Sequence, residues 1–138
     1  MKNTKQFLAY LALLLLTASV LFAQDANKRS TFKKNDISNL VHGIQSHNEG
    51  LKRSSIYLAG KYEVQEVTDV LIAKLENEDN SQDRLLIALA LYQIGNEAAY
   101  EAVKVLSVTD SNPKVRRISN AICKAFQEES NKFLVNLN

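Results

Sequence analysis

Residues that mark disulfide-stabilised scaffolds and phosphate-binding enzymes are scarce in this sequence. A single cysteine, Cys123, cannot form an internal disulfide, so the stability of the fold has to come from packing. The glycines are scattered, which excludes a glycine-rich phosphate loop, and no Gly-x-Ser-x-Gly motif is present. Because Cys123 lies in an apolar helical pattern, we expect it to pack as a small hydrophobic side chain rather than to act as a nucleophile.

Histidines are equally few. His42 and His47 are five residues apart, which is not the three- or four-residue spacing of paired ligands on one helix face. We expect both to face solvent. Three carboxylates, Glu63, Glu66 and Asp69, fall close together, but acid–base work would need burial or a like-charge neighbour to separate their pKa values. The sequence therefore predicts a solvated acidic row, with no catalytic residues, no cofactor and no metal site.

Residues 1–23 have the layout of a secretory signal peptide. Lys2 and Lys5 precede an apolar run over 7–22, and the small residue Ala23 follows at the expected cleavage point. The run is shorter than the roughly 20 residues that a spanning helix prefers. The alternative is an uncleaved N-terminal anchor, which would be the chain's one contact with a membrane. We therefore predict an N-terminal signal helix and export to the periplasm or the extracellular space.

Basic residues are not in excess once the signal peptide is removed. Without Lys2 and Lys5, 15 of the 17 basic residues remain, against 15 acidic residues. A nucleic-acid-binding protein usually carries a basic excess, so we expect no nucleic-acid partner. Residues 62–110 hold ten acidic and three basic residues, while residues 25–61 and 111–138 are basic. Such a pattern is either an ordinary solvated surface or a surface for a basic partner.

Sustained strand alternation is also missing, and the apolar periodicity is helical almost throughout. Residues 24–35 are polar, basic and without a period, so we expect a flexible leader before a helical domain at residues 36–138. Capping residues mark the helix ends, for example Asp36 before the first helix and Gly95 after the fourth. The pattern predicts six helices, at about 36–44, 51–61, 64–75, 81–94, 97–107 and from 113 onward, with a short apolar piece at 131–137 sealing the last face.

The fourth predicted helix is apolar nearly all round. Its large apolar side chains are Leu85, Leu86, Ile87, Leu89, Leu91 and Ile94. A helix with this pattern should be covered on more than one side. We therefore predict that Leu89→Asp unfolds the domain, because the new charge would face neighbouring helices without a partner.

Similar helices recur at a near-constant interval. A shift of 31 residues places Arg53 on Arg84, and a shift of 32 places Arg84 on Arg116, with apolar residues matching beside them. Pairs of helices repeated at a period in the low thirties are typical of an α-solenoid. One hairpin cannot cover both sides of its apolar helices, so successive hairpins have to share an interface.

The segment QDRLLIALALYQIGNEAAYEAVKVLSVTDSNPKVRR, residues 82–117, resembles a HEAT-like repeat. The matching features are the Asp-Arg and Val-Arg pairs at 83–84 and 115–116, the small residues Ala88 and Ala90, the YQIGNEAA turn and the VKVL end. The resemblance covers about residues 50–127 and implies a right-handed stack of about three helical hairpins whose concave face binds other proteins. A tetratricopeptide stack is the structural alternative, but its large aromatic and Leu-Gly signature is absent.

The resemblance also implies where a partner would bind. In a HEAT-like stack the second helix of each hairpin usually lines the concave face, which here means the third and fifth helices. The outward side chains predicted there are Glu66, Asp69, Glu97, Tyr100, Glu101 and Lys104. Such a surface would receive a basic segment of another protein, with Tyr100 as the packing anchor. We therefore predict a non-catalytic scaffold or adaptor. The alternatives are an accessory or lyase-type subunit of an enzyme complex and a purely structural domain.

Overall fold

The structure, a computed structural model, describes residues 33–135. For residues 129, 130 and 132–135 it describes the backbone only. Within this range the chain is entirely helical, which confirms the predicted all-α class. The elements are α1 (Lys34–Ile44), α2 (Glu49–Lys61), a short 3-10 helix (Gln65–Val67), α3 (Thr68–Glu76), α4 (Ser81–Ile94), α5 (Glu97–Thr109) and α6 (Pro113–Val135). None of these helices is long and apolar enough to span a bilayer. The predicted signal peptide and most of the predicted leader lie outside the described residues.

Three helices begin in the same way. Asn48, Asn80 and Asn112 stand directly before α2, α4 and α6, at intervals of 32 residues. Each asparagine side chain accepts a hydrogen bond from a backbone N–H in the first turn, at 2.8 to 3.0 Å for the shortest of these. The asparagine oxygen thereby satisfies a donor that has no partner within the helix. A common local signal therefore starts α2, α4 and α6, and Asn96 caps α5 in the same way.

The residue two positions before each of these asparagines adds a second contact. The side chains of Ser46, Glu78 and Asp110 accept from the backbone N–H of the asparagine that follows, at 3.1, 3.1 and 2.7 Å. The three loops that lead into α2, α4 and α6 therefore share one hydrogen-bond pattern. The recurrence seen in the sequence has a counterpart in these contacts.

The helices pack in two interleaved series. Helix α2 packs on α4 and α4 on α6, while α1 packs on α3 and α3 on α5. The two series meet at four contacts, namely α1 with α2, α3 with α4, α4 with α5, and α5 with α6. The side chains that are fully buried between them include Ile44, Ile56, Leu71, Ile87, Leu91, Val103 and Val115. Burial of each such side chain contributes about 1.5–3 kcal/mol relative to exposure.

Two glycines allow close approach between helices. A Cβ on Gly43 of α1 would lie 2.0 Å from the Ser55 hydroxyl oxygen of α2. A Cβ on Gly60 of α2 would lie 2.8 Å from the Cα of Ala90 on α4. A side chain at Gly60 would push against backbone, which cannot move aside as a flexible side chain can. These glycines set the separation of α2 from its neighbours.

Leu89 of α4 is exposed, contrary to the expectation that it faces neighbouring helices. Its side chain is 46% exposed, whereas Ile87, Ala88 and Leu91 around it are buried. Successive residues of a helix are separated by about 100°, so one side of α4 remains outside the contacts with its neighbours. The premise that Leu89→Asp would place a charge in the core is therefore wrong.

Some predicted helix ends also differ. Helix α1 begins before Asp36, which lies at the third helical position and accepts from the backbone N–H of Lys33 at 3.0 Å. Residues 64–67 form a bend and a 3-10 turn rather than the start of α3. Helix α6 runs without a break to Val135, so the apolar piece expected at 131–137 is largely its continuation. Gly95 ends α4 in the left-handed conformation (φ 74°), as predicted.

Candidate binding groove

A groove of about 470 Å³ lies between α3 and α5. Its apolar lining is Ile72 and Leu75 from α3 with Ala102, Val105 and Leu106 from α5. The three- and four-residue spacings of these positions place them on one face of each helix. Because α3 and α5 pack side by side, the two faces form the opposite walls of one groove.

The groove opens to solvent through an exposed apolar wall. Val105 is 58% exposed, while Leu75 and Leu106 are buried in the core beneath it. Val108, on the same helix, is 75% exposed but does not line the groove. A concave site with an apolar lining and a few polar groups around it is typical of a binding site. Val108 therefore provides a matched comparison for any role of Val105.

Polar residues close the end of the groove at the C-termini of α3 and α5. They are Glu76, Glu78, Arg84, Thr109, Asp110 and Ser111. Helix α3 ends at Glu76 and α5 ends at Thr109, and helix C-termini carry a partial negative charge. Glu76 is exposed and forms no ion pair with any described residue. This end of the groove is therefore electronegative.

Arg84, by contrast, is fully engaged. It binds Asp110 through two parallel contacts, Nε–Oδ2 at 2.6 Å and NH2–Oδ1 at 3.0 Å. Its third nitrogen donates to the backbone carbonyls of Glu78 and Asp79 at 3.0 and 2.8 Å. The hydrogen bond from Arg84 holds the pKa of Asp110 below its usual range, against the opposing effect of burial. Arg84 thus ties two loops together and is not free to bind a ligand.

Lys52 makes the corresponding contact between α2 and α4. Its side chain is only 4% exposed, and its Nζ lies 2.9 Å from Glu78 Oε2 and 2.8 Å from Asp83 Oδ2, with Glu49 at 3.0 Å. Arg53 Nε contacts the other Asp83 oxygen at 2.6 Å. We call the contacts that join Lys52 to Glu78 and Asp83, and Arg84 to Asp110, the ion-pair ladder.

The ladder shifts the ionisation of its members in a consistent direction. Burial alone would lower the pKa of Lys52, but hydrogen bonds to Asp83, Glu78 and Glu49 outweigh it and raise that pKa. Burial would raise the pKa of Asp83, but hydrogen bonds from Lys52 and Arg53 lower it. All of these groups stay charged near neutral pH. Their side chains form a structural network rather than an acid–base pair poised to transfer a proton.

The ladder also places Lys52, rather than Arg53, at the position that corresponds to Arg84. Lys52, Arg84 and Arg116 each follow a capping asparagine by four residues, so Lys52 and not Arg53 is the counterpart of the two arginines. Arg116 repeats the loop contacts of Arg84, donating to the carbonyls of Asp110 and Ser111. Arg53 is half-exposed and binds only carboxylates among its described contacts. The first interval is therefore 32 residues, equal to the second.

The predicted partner-binding residues fall into two groups. Glu66, Asp69, Glu97, Glu101 and Lys104 are exposed, as predicted. Lys104 pairs with Glu101 at 3.1 Å, so part of the acidic charge on α5 is already compensated. The ends of α3 and α5 are joined where Asn96 donates to the Thr68 hydroxyl at 2.9 Å. The contact brings Asp69 and Glu97, the residues next to this pair, to neighbouring helix N-termini.

Tyr100 is less available than predicted. Its ring is half-buried and packs edge-on against Phe126 of α6, with centroids 5.4 Å apart. Its hydroxyl accepts from Gln127 at 3.1 Å, and Lys104 Nζ lies 5.6 Å from the ring centroid. Tyr100 is therefore less exposed than an outward-facing residue would be, because Phe126 of α6 covers one side of its ring. Val105 is the better exposed apolar residue on this helix.

Sequence reasoning missed the groove and the ladder. Val105 and Ile72 were assigned to no face, although an apolar residue on the polar side of an amphipathic helix is a usable signal. Lys52 and Asp83 carry no such signal, because their burial depends on how α2 meets α4. Glu76 was part of a polar loop in the sequence and becomes distinctive only beside the groove.

The remaining candidate chemical groups are in ordinary environments. His42 and His47 are exposed, as predicted, and Cys123 is buried, where desolvation raises the pKa of its thiol. Across residues 33–135, no three His, Cys, Asp or Glu side chains are grouped so that they could hold a metal ion. The chain matches no protein-family model, no curated protein and no solved structure. Its function therefore has to be inferred from the geometry of the groove.

Proposed function

We propose that the protein is an exported, non-catalytic adaptor that binds another protein through the groove between α3 and α5. The observation that carries this proposal is an apolar groove of about 470 Å³ with an exposed valine in its wall and carboxylates around it. Sites of this kind combine an apolar centre with a polar rim, as protein interfaces do. Export is proposed from the signal-like residues 1–23.

We further propose that α1 to α6 form a short right-handed α-solenoid of the HEAT-like kind. The three asparagine caps at intervals of 32 residues support a repeated unit. The consecutive packing of α2, α4 and α6, and of α1, α3 and α5, supports a stack in which each unit contacts its neighbours. In such a stack the α3–α5 groove lies between two successive units, where a binding surface is expected.

The charge around the groove favours a basic segment as the partner. Asp69, Glu97 and Glu101 are exposed on the two helices that form the groove, and Glu66 is exposed on the 3-10 helix that leads into α3. Opposite charges around an apolar contact raise the association rate and discriminate against acidic competitors. The predicted acidic surface and the groove would therefore contact the same partner as one binding face.

The proposal is tested by capture of partners from the protein's own envelope fraction with wild type, Val105→Arg and Val108→Arg. Val105→Arg places a bulky charge in the groove wall and should reduce captured partner at least about tenfold, a loss of about 1.4 kcal/mol. Val108→Arg adds the same side chain on the same helix, outside the groove, and should capture as wild type does. Equal capture by all three proteins would show that the groove is not the binding site. Thermal unfolding of each variant checks that the fold is retained.

A further inference from the structure

We infer that the groove recognises an extended basic–apolar–basic segment of a partner protein, seating the apolar side chain between Ile72 and Val105 and one lysine or arginine beside Glu76. This inference rests on the proposed function and specifies the chemistry of the partner at the same site. It follows from which charges around the groove are already neutralised and which are not.

Arg84 is the one cation among the described residues that line the groove, and it cannot recruit an acidic ligand without breaking existing contacts. Its guanidinium binds Asp110 through two nitrogens and two loop carbonyls through the third. Glu78 is likewise engaged, because its carboxylate contacts Lys52 at 2.9 Å and Lys74 at 3.5 Å. The internal charges of the groove therefore cancel, and an acidic segment finds no open cation there.

Glu76 is the charge that remains. It is exposed, it lines the groove and it has no ion pair with a described residue. It also lies at the C-terminus of α3, close to the C-terminus of α5, where the helix dipoles favour a cation. A lysine or arginine could place its charged end here while its methylene stem covers the apolar wall. The geometry selects a long basic side chain over a small cation.

Helix α3 repeats this arrangement toward its N-terminus. Asp69, Ile72 and Glu76 follow one another at three- and four-residue steps. The apolar residue therefore has one exposed carboxylate on each side of it along the helix. Seven residues of helix span about 10 Å. An extended chain covers that distance in about three residues. Side chains alternate along an extended chain, so residues that face the groove together are two positions apart. The matching segment therefore carries a basic, an apolar and a basic residue at alternate positions, and the long basic side chains span the small difference in length.

The opposite wall supports the same reading. Glu101 and Val105 are one turn apart on α5, and Lys104 already pairs with Glu101. The carboxylates on the α3 wall are therefore less neutralised by neighbouring cations than the carboxylate on the α5 wall. Glu128 on α6 is also exposed but does not line the groove. It serves as a control for a general effect of charge.

The test is a selection of random 12-residue peptides on the immobilised full chain, followed by affinity measurements on synthetic copies of the enriched peptides. We expect the enriched peptides to carry lysine or arginine on both sides of an apolar residue. Their affinity should fall at least about tenfold with Glu76→Lys and with Val105→Arg. It should change less than about twofold with Glu128→Lys and Val108→Arg.

The other outcomes separate this inference from the proposed function. Peptides that need Val105 but lack basic residues, or that ignore Glu76→Lys, overturn the basic–apolar–basic inference and leave the groove as a binding site. A Val105-dependent dimer of the chain in sedimentation experiments also overturns it, because a second copy would then be the occupant. If no enriched peptide depends on Val105, both the inference and the proposed function fail.

Discussion

The contact between α2 and α4 and the contact between α4 and α6 use the same loop pattern with different chemistry. In the first, Lys52 lies buried among the carboxylates of Glu78 and Asp83. In the second, Arg84 forms one two-point pair with Asp110. In both, the cation reaches an acidic residue 26 positions further along the chain. The same loop hydrogen-bond pattern therefore occurs with two different arrangements of ion pairs.

The two contacts also differ in the residues that lie between the helices. Gly60 brings α2 close to Ala90 of α4. The residue 32 positions after Gly60 is Tyr92, whose ring packs edge-on against Phe126 of α6 with centroids 4.9 Å apart. A glycine in close backbone contact therefore corresponds, 32 residues on, to a tyrosine in an aromatic pair. The comparison shows that the interval, rather than the side-chain chemistry, is what the two contacts share.

The largest expected effect is loss of Asp83, which is 1% exposed and binds two cations of α2. Asp83→Ala should lower the free energy of unfolding by about 3–5 kcal/mol, because it leaves a buried lysine with fewer partners. Urea unfolding followed by circular dichroism measures this value. Asp79→Ala removes an exposed carboxylate from the same loop region and should change stability by about 0.5 kcal/mol at most. Similar losses of unfolding free energy in the two variants would show that the buried ion pairs between α2 and α4 contribute no more than an exposed carboxylate does.

The second contact is tested by comparing Arg84→Met with Arg116→Met. Arg84 makes two bonds to Asp110 in addition to its loop contacts, whereas Arg116 makes loop contacts alone among the described residues. Loss of a hydrogen bond to a charged group costs about 1.5–3 kcal/mol, so Arg84→Met should fall in that range. Arg116→Met should cost clearly less. Equal midpoints in urea would show that the pair with Asp110 adds nothing.

Helix separation is tested at Gly60. Gly60→Val places side-chain atoms against the backbone of Ala90, and overpacking of this kind costs about 1–3 kcal/mol. Gly50→Val is the control, because a Cβ there would meet only the Asn48 side chain at 3.4 Å. Thermal unfolding of both variants gives the difference. A Gly60→Val protein as stable as Gly50→Val would mean that α2 and α4 can separate without loss.

The pH dependence of stability should report the same ion pairs. The folded pKa values of Glu78, Asp83 and Asp110 are lowered. Their stabilisation is therefore fully present above the unfolded values of about 4 and is lost as the pH falls through the folded values. Lys52 has a raised pKa, so its contribution is complete below its unfolded value of about 10.4 and is lost as the pH rises further. Urea midpoints between pH 7 and pH 2 should fall less steeply for Asp110→Asn than for wild type. Parallel curves would count against the second ion pair.

The smallest expected effect is at Leu89, on the side of α4 away from both contacts. Because its side chain is 46% exposed, Leu89→Asp should cost no more than about 1 kcal/mol, mainly through helix propensity and partial burial. Leu91→Asp, at a fully buried neighbour two residues on, should unfold the protein. Circular dichroism at 25 °C distinguishes the two. Unfolding by Leu89→Asp would show that this side of α4 is covered in solution.

Much of the local structure was predictable because its causes are local. Gly95 as a helix stop and the exposed histidines both follow from spacing and residue type. Caps were recognisable at residues 80–81 and 111–112 for the same reason, and the structure assigns them to Asn80 and Asn112. Lys52 was not recognisable as buried, since a lysine in an amphipathic pattern reads as a surface residue.

The candidate site was predictable only in part. The exposed acidic residues of α3 and α5 were expected, because charged residues on the polar face of a helix remain in water. Tyr100 was placed outward because nothing in the sequence indicates that α6 continues beside it to meet the ring with Phe126. The groove itself depends on two helices lying next to each other, which neither helix's own pattern describes.

The sequence by itself determined most helix positions, the helix stop at Gly95 and the spacing of about 32 residues between similar helix starts, because these depend on neighbours within a few turns or on spacing along the chain. The tertiary structure decided that Lys52 and Asp83 are buried together, that Leu89 is exposed and that Val105 opens a groove beside Glu76. Those outcomes depend on the angle and distance at which helices far apart in sequence meet. Such contacts place a charge in low dielectric or an apolar side chain in water irrespective of its own local pattern.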